Sequence, residues 1–167
     1  MNLYIIRHAE ALPPGGKVGD DRERILSPQG EKDALIVGSH LLRLDQEIRL
    51  LLTSPLKRAV QTGENIARSY GRSLSPQATP NLAPGFDVAD LLKEIFSLSN
   101  GASVVAIGHM PEVNHLVAHL IAHNAPTMIE MRPGTIAHVA LQGTPARPVG
   151  QLRSVLFPGM IRLMSEQ

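Results

Sequence analysis

The stretch "ASVVAIG", residues 102–108, is continuously apolar and built from small and β-branched side chains. A strand with one wet face alternates apolar and polar residues, whereas a strand covered on both faces has no need to. Residues 102–108 therefore read as a buried strand. Its surroundings agree. Residues 87–98 carry a helical pattern before it, and Pro111 starts a second helix that runs to about residue 122. Alternation of strands with helices builds βαβ units and a parallel sheet.

The same alternation extends in both directions. "NLYIIR" (2–7) reads as the first strand, followed by a polar, Gly/Pro-rich loop over 12–23. Ser27-Pro28 has the form of a helix N-cap followed by proline at the first helical position. Ala34, Gly38, Leu41 and Leu42 then fall on one helical face. "RLLLTS" (49–54) is a second strand, and Ser54-Pro55 repeats the helix-start signature. Ala59, Gly63, Ile66, Ala67 and Tyr70 form the inner stripe of that helix. A short strand is expected near 74–79. The tail offers strands at about 134–141 and 150–156, joined through the hairpin-like "GTPARP" (143–148), which predicts an antiparallel edge. The expected fold class is α/β: a three-layer sandwich with a mainly parallel central sheet and helices on both faces.

Composition sets the outer bounds. A chain of 167 residues suits one domain, spanning 1–167, with a core of its own. Apolar residues make up 43% but aromatics only 3%, with no Trp, so aliphatic side chains must fill that core. Sixteen basic residues face 15 acidic ones, a formal net charge of +1, which gives no case for nucleic-acid or membrane binding. The absence of cysteine excludes disulfides, thiolate catalysis and Cys-based metal sites. No basic segment followed by a long apolar stretch opens the chain, and no window approaches the roughly 20 apolar residues of a membrane span. A cytoplasmic protein is expected.

Three strands end on groups suited to phosphate chemistry. The first ends in Arg7-His8, the second leads through Thr53-Ser54 to Arg58, and the buried strand ends in Gly108-His109. In an open parallel sheet, ligands bind beyond the carboxyl ends of the strands. If these strands are neighbours, two Arg and two His converge there. A neutral imidazole can attack phosphorus and split one displacement into two. Arginine supplies planar, bidentate and permanently charged donors for the phosphoryl oxygens. No metal or other cofactor is required if two Arg and a His cover the charge.

These residues carry a resemblance. "RHAE" (7–10), "TSPLKRAVQT" (53–62) and "IGHMPEV" (107–113) resemble the RHG-type motif, the S-P-x-x-R-A-x-x-T motif and the second histidine of the histidine phosphatase superfamily. The resemblance implies a phosphoglycerate mutase-like fold. It also implies that His8 is the nucleophile, that Arg7 and Arg58 clamp the phosphate, and that His109 completes the pocket. "RERILSPQGEKDA" (22–34) is similar to the R-P-L-[ST]-x-x-G segment of the small SixA-type phosphohistidine phosphatases, which makes Arg24 a further candidate for substrate binding. "NLAPGFDV" (81–88) is similar to that branch's L-x-P-x-x-D stretch. The branch implies removal of phosphate from a phosphorylated histidine on a protein partner, with inorganic phosphate as product.

Ala9 stands where the strict motif has Gly, and Ile25 where the branch has Pro. Larger members carry a Glu or Asp that protonates an alkoxide leaving group; the corresponding stretch here has Asn81, with Asp87 and Glu112 nearby in sequence. A weak or missing acid favours a phosphoramidate or aryl phosphate over a sugar phosphate. The competing readings are a broad or small-molecule phosphomonoesterase and a non-catalytic phosphate-binding module. An ion pair that anchors the loop would explain Arg24 equally well. His115, His119 and His123, spaced four apart, could in principle ligate zinc. They lack the H-E-x-x-H order and a carboxylate third ligand, and read better as a polar stripe. "PGGKVG" (14–19) lacks the P-loop order and reads as a rim of the site.

Overall fold

The computed structural model describes residues 1–14, 20–122 and 128–165. Among them, six strands form one sheet: β1 (Asn2–Arg7), β2 (Ile48–Thr53), β3 (Pro76–Ala78), β4 (Ser103–Gly108), β5 (Ile136–Thr144) and β6 (Arg147–Leu156). Their order is β3-β2-β4-β1-β5-β6. The first four run parallel, and β5 and β6 add an antiparallel hairpin at one edge. The helices are α1 (Pro28–Leu44), α2 (Lys57–Tyr70), α3 (Val88–Ser99), α4 (Glu112–Ala122) and α5 (Pro158–Ser165).

The unbroken apolarity of the central strands has the cause expected of it. Leu3, Ile5, Val104 and Ala106 face one side of the sheet and pack on Leu91, Leu92 and Ile95 of α3 and Val113, Leu116 and Val117 of α4. Tyr4, Ile6, Val105 and Ile107 face the other side and pack on Val37 and Leu41 of α1, Ile66 and Tyr70 of α2, and Ile161 of α5. Alternate side chains point to opposite faces, so each central strand must be apolar at every position. The result is a three-layer α/β sandwich.

Local chemistry explains most element ends. The Ser27 side chain accepts from Gly30 N at the start of α1, with Pro28 at the first helical position. Asp87 caps α3 by accepting from Ala89 N and Asp90 N. The second Ser-Pro pair behaves differently from the first. The helix α2 begins at Lys57, with Leu56 at the cap position and no side-chain cap. Ser54 Oγ accepts from Leu56 N at 3.2 Å, ahead of the helix, and its hydroxyl also reaches a second partner. The closing hairpin is longer than its pattern predicts, and α5 has no counterpart in the sequence reading.

At the opening end of the strands, Asp45 gathers polar groups. Its carboxylate accepts from Asn2 Nδ2 at 3.0 Å and Tyr4 OH at 2.9 Å, and its carbonyl accepts from Tyr70 OH at 3.0 Å. Two otherwise buried tyrosines are thereby satisfied. That ties the C-terminus of α1 to β1 and α2.

Helices α1 and α2 lie close because Gly38 has no side chain. A Cβ there would sit 2.8 Å from Ile66 Cα and 2.8 Å from Ile66 O. Replacing Gly by Ala inside a helix gains about 1 kcal/mol of helix propensity, but overpacking against backbone costs typically 1–3 kcal/mol. The clash should win. Gly38→Ala is expected to lower stability by up to about 2 kcal/mol in urea unfolding; a variant more stable than the parent would show that the two helices separate freely.

Candidate active site

Sheet order turns three separate motifs into one site. β1 and β4 are adjacent and parallel, with Arg7 paired to Gly108. The chain leaves β1 for α1 on one face and leaves β4 for α4 on the other. The gap between their carboxyl ends is therefore the topological switch point, where such sheets open a crevice. His8 and His109 are the next residues in register. Neighbouring strands lie about 4.8 Å apart, and the two imidazole centroids are 5.0 Å apart. His8 N continues the ladder by donating to Gly108 O at 3.0 Å. On the other flank of β4, Ser54 N donates to Ile107 O at 2.9 Å, which brings the first turn of α2, and with it Arg58, to the same crevice.

The orientation of each ring follows from its partners. His8 Nδ1 lies 2.7 Å from Ala9 O, which can only accept, so Nδ1 carries the proton. Arg58 Nε donates to His8 Nε2 at 3.2 Å, and a guanidinium can only donate. Both contacts demand the same tautomer, with the Nε2 lone pair turned into the crevice. His109 Nε2 meets Ser54 Oγ at 2.7 Å, and its Nδ1 lies 3.4 Å from Arg58 Nη2. Arg58 thus presents one edge, Nε and Nη2, to two imidazole nitrogens. Its other edge is held elsewhere: Nη1 donates to Asp21 O at 2.8 Å and Nη2 to Asp21 Oδ2 at 3.0 Å.

The remaining arginines are also anchored. Arg7 Nη1 donates to Met131 O at 2.9 Å, while its Nε is buried with no partner among the described residues. Arg24 Nε donates to Leu12 O at 2.9 Å, and its Nη1 pairs with Asp21 Oδ1 at 2.8 Å. Arg24 is therefore held in a loop-anchoring ion pair next to the crevice.

Further hydrogen bonds lock the motifs together. Thr62 Oγ1 accepts from Ala9 N at 3.1 Å and donates to Arg58 O at 2.7 Å. Ser27 Oγ donates to Glu10 Oε1 at 2.6 Å, and Ser27 N to Glu10 O at 2.9 Å. A Cβ on Gly30 would lie 2.0 Å from Glu10 O, so only glycine lets α1 approach the turn after His8. Ala9 is fully buried against Leu26 and Ala34, a space that demands a small residue rather than glycine itself.

Burial sets the protonation states. It pushes His8 down from 6.5 to about 4, with Arg58, Arg7 and Arg24 adding to the shift. His109 falls from 6.5 to about 3, again through burial first and then through His8 and Arg58. Both rings are neutral at pH 7.

Other sequence candidates lie outside this cluster of contacts. Asp87 is committed to its helix cap. Glu112 Oε1 accepts from Gly85 N at 2.8 Å, and Asn81 Nδ2 donates to Glu94 Oε2 at 2.7 Å. Among the described residues, the one carboxylate bonded to any of the Arg7, His8, Arg58 and His109 side chains is that of Asp21, on Arg58. His115 is exposed and His119 half-buried on α4; His123 and residues 15–19 of the Gly-rich rim lie outside the described residues. Sequence reading missed Asp21, Ser54 and Thr62. Ser54 and Thr62 stood inside a quoted motif, while Asp21 sat in a loop without periodicity. Loops wall the crevice. A cavity of about 760 Å³ is lined by Asp21, Glu23, Leu56, Lys57 and Pro84, and another of about 530 Å³ by Arg7, Met110, Met128, Met131 and Arg132.

Comparison with known proteins agrees with this geometry. Residues 3–83 match the sequence model of the histidine phosphatase superfamily, branch 1. The phosphohistidine phosphatase SixA of Escherichia coli K12 is 32% identical over 130 residues, 77% of this chain and 79% of that protein. The chain belongs to the histidine phosphatase superfamily. It is accordingly a hydrolase of the phosphatase class. The solved structure of the protein histidine phosphatase SixA with tungstate superposes with a TM-score of 0.81 at 28% identity, covering 95% of this chain and 98% of that one. A SixA-type structure from Nakamurella multipartitia reaches 0.74 at 23% identity, over 94% and 95% of the two chains, and speaks to the fold alone. No helix among the described residues of this histidine phosphatase is long and apolar enough to cross a membrane.

The two depressed histidines predict a pH signature. Between pH 6.5 and about 4 the unfolded chain takes up protons at His8 and His109 that the folded chain refuses. Their contribution is present above pH 6.5 and is lost as pH falls towards 4. His8→Asn, whose amide nitrogen can replace Nδ1–H as donor to Ala9 O, should flatten the fall of Tm between pH 6.5 and 5. An undiminished slope would show that His8 is not held neutral.

Proposed function

We propose that this histidine phosphatase hydrolyses phosphohistidine carried on a protein partner, through a covalent intermediate on His8. The observation that carries the reading is the tautomer of His8: Nδ1–H is spent on Ala9 O, and the Nε2 lone pair faces the Nε/Nη2 edge of Arg58. The relatives' names support the substrate class, since SixA of E. coli is named a phosphohistidine phosphatase.

The cycle has two displacements. In the first, His8 Nε2 bonds to phosphorus, and the substrate's N–P bond breaks with its electron pair passing to the departing imidazole. A phosphohistidine already protonated on its other ring nitrogen leaves as neutral imidazole and takes no proton from the protein. In the second, water bonds to phosphorus and the His8 N–P bond breaks. Phospho-His8 retains its Nδ1 proton against Ala9 O, so it too departs as neutral imidazole. The attacking water supplies the protons carried off by phosphate.

Arg58 and Arg7 cover the charge of the transferring group. The unpartnered Nε of Arg7 and the Nε/Nη2 edge of Arg58 supply donors, and His109 lies beside them. Arg24 assists through its charge, which reaches His8. Asp21 cannot act as the acid for an alkoxide, because Arg24 and then Arg58 hold its carboxyl below the usual range and ionised at neutral pH. That weighs against sugar phosphates as substrates.

The test measures phosphate release from a phosphohistidine-bearing protein and from p-nitrophenyl phosphate, with chelator present. The expected result is a preference for phosphohistidine, with an acid-labile phosphate on His8. His8→Ala should lose about 1000-fold or more in turnover while keeping its far-UV spectrum. Activity on the aryl ester alone would instead indicate a general phosphomonoesterase. Phosphate binding without turnover of either substrate would indicate a binding module.

A further inference from the structure

Arg58 is held at both edges, and the outer edge is the less expected one. Asp21 receives it twice, through the backbone carbonyl at 2.8 Å and through Oδ2 at 3.0 Å. The second carboxylate oxygen takes Arg24 Nη1 at 2.8 Å. One residue of a 3-10 turn (Asp21–Glu23) thus fixes two of the three guanidinium-bearing side chains at the crevice. The arrangement is asymmetric in burial. Arg58 is 7% exposed at its side chain and Asp21 is 57% exposed. The anion therefore reaches in from the solvent side to a buried cation that has no other carboxylate partner among the described residues.

Two consequences follow from this geometry. A guanidinium can bind an oxyanion through its Nε/Nη2 edge or end-on through Nη1 and Nη2. Asp21 takes the end-on donors, and the Nε/Nη2 edge, which meets only the two imidazole nitrogens, is the one an incoming phosphoryl group would take over. Asp21 also places one negative charge on the far side of the clamp. In a crevice with three arginines and two neutral histidines, that charge opposes anion binding in ground state and product alike.

We propose that Asp21 is a positioning residue that orients Arg58 for in-line attack and lowers the enzyme's affinity for released phosphate. This rests on the assignment of His8 and Arg58 made above. Its charge makes the clamp strong enough to align a transferring group yet weak enough to let the product go. The Lys57–Glu23 ion pair, at 3.3 Å, also ties the same turn to α2 without touching Arg58. It provides the control for a merely tethering role.

The experiment compares wild type, Asp21→Asn, Asp21→Ala, Asp21→Glu and Glu23→Gln by isothermal titration with inorganic phosphate and by steady-state hydrolysis of a phosphohistidine-bearing protein. Asp21→Asn removes the charge and keeps an acceptor; it should bind phosphate about three- to tenfold more tightly with a lower kcat. Asp21→Ala should lose about tenfold or more in kcat, with KM falling or unchanged, and Asp21→Glu should recover part of it. Glu23→Gln, a change on the cavity wall that leaves the Arg58 contacts intact, should bind inorganic phosphate as wild type does. Tighter phosphate with undiminished kcat, or lower kcat with unchanged or weaker phosphate binding, overturns the double role. So does a Glu23→Gln variant that tightens phosphate binding as much as Asp21→Asn. Failure of wild type to take an acid-labile phosphate on His8 would instead reject the nucleophile assignment, and the phosphate titrations would still report on Asp21.

Discussion

The in-register, parallel pairing of β1 with β4 is the constraint from which the site descends. It sets the two strand ends side by side, and the next residue of each is a histidine. The backbone ladder, rather than any side-chain contact, fixes the spacing of the imidazoles, because the bond from His8 N to Gly108 O continues the sheet by one step. The neighbouring step from Ser54 N to Ile107 O brings α2 and Arg58 in from the other flank. A side-chain cluster built this way inherits the rigidity of the sheet. It also inherits steric limits: Gly30 beneath Glu10 and a small residue at position 9 are needed for the turn after β1 to lie flat.

Burial and charge pull in opposite directions at this centre, and the balance defines its chemistry. Taking imidazole out of water disfavours its cationic form, and nearby guanidinium groups add to that. The hydrogen bond from His8 to Ala9 O works the other way but is outweighed. The rings stay neutral chiefly because they are buried, and the charged arginines reinforce this. On half-buried Arg7 one donor is spent on Met131 O, and another is buried with no partner among the described residues.

Much of this was legible from the chain. Continuous apolar runs announced strands covered on both faces, and Ala59, Gly63, Ile66, Ala67 and Tyr70 are all buried along α2 as their spacing required. Arg7, His8, Arg58 and His109 stood at strand ends or one turn beyond, where a parallel sheet gathers its ligands. Less was legible where one residue type serves two purposes. Ser54 before Pro55 has the form of a helix cap, yet its hydroxyl meets His109 and the helix starts three residues later. Asp21 lay in a polar loop, and its bond to Arg58 spans 37 positions that no local pattern records. The strand order itself came from pairing across the sheet, which periodicity along a strand does not encode.

The four side chains at the centre are carried on strand ends or on the first turn of α2, whereas the surrounding walls are carried on connections. Residues 20–23 and 83–84 flank one cavity, and residues 128–133 the other. The reacting groups and the surfaces that meet the rest of a substrate are thus separable parts. Insertions or exchanges in those connections can redraw which molecule gains entry while the sheet keeps the phosphoryl machinery unchanged. A scaffold so divided lends itself to diversification: one chemical step can be handed from substrate to substrate by remodelling loops that add little to the core beyond Met131 and Ile129.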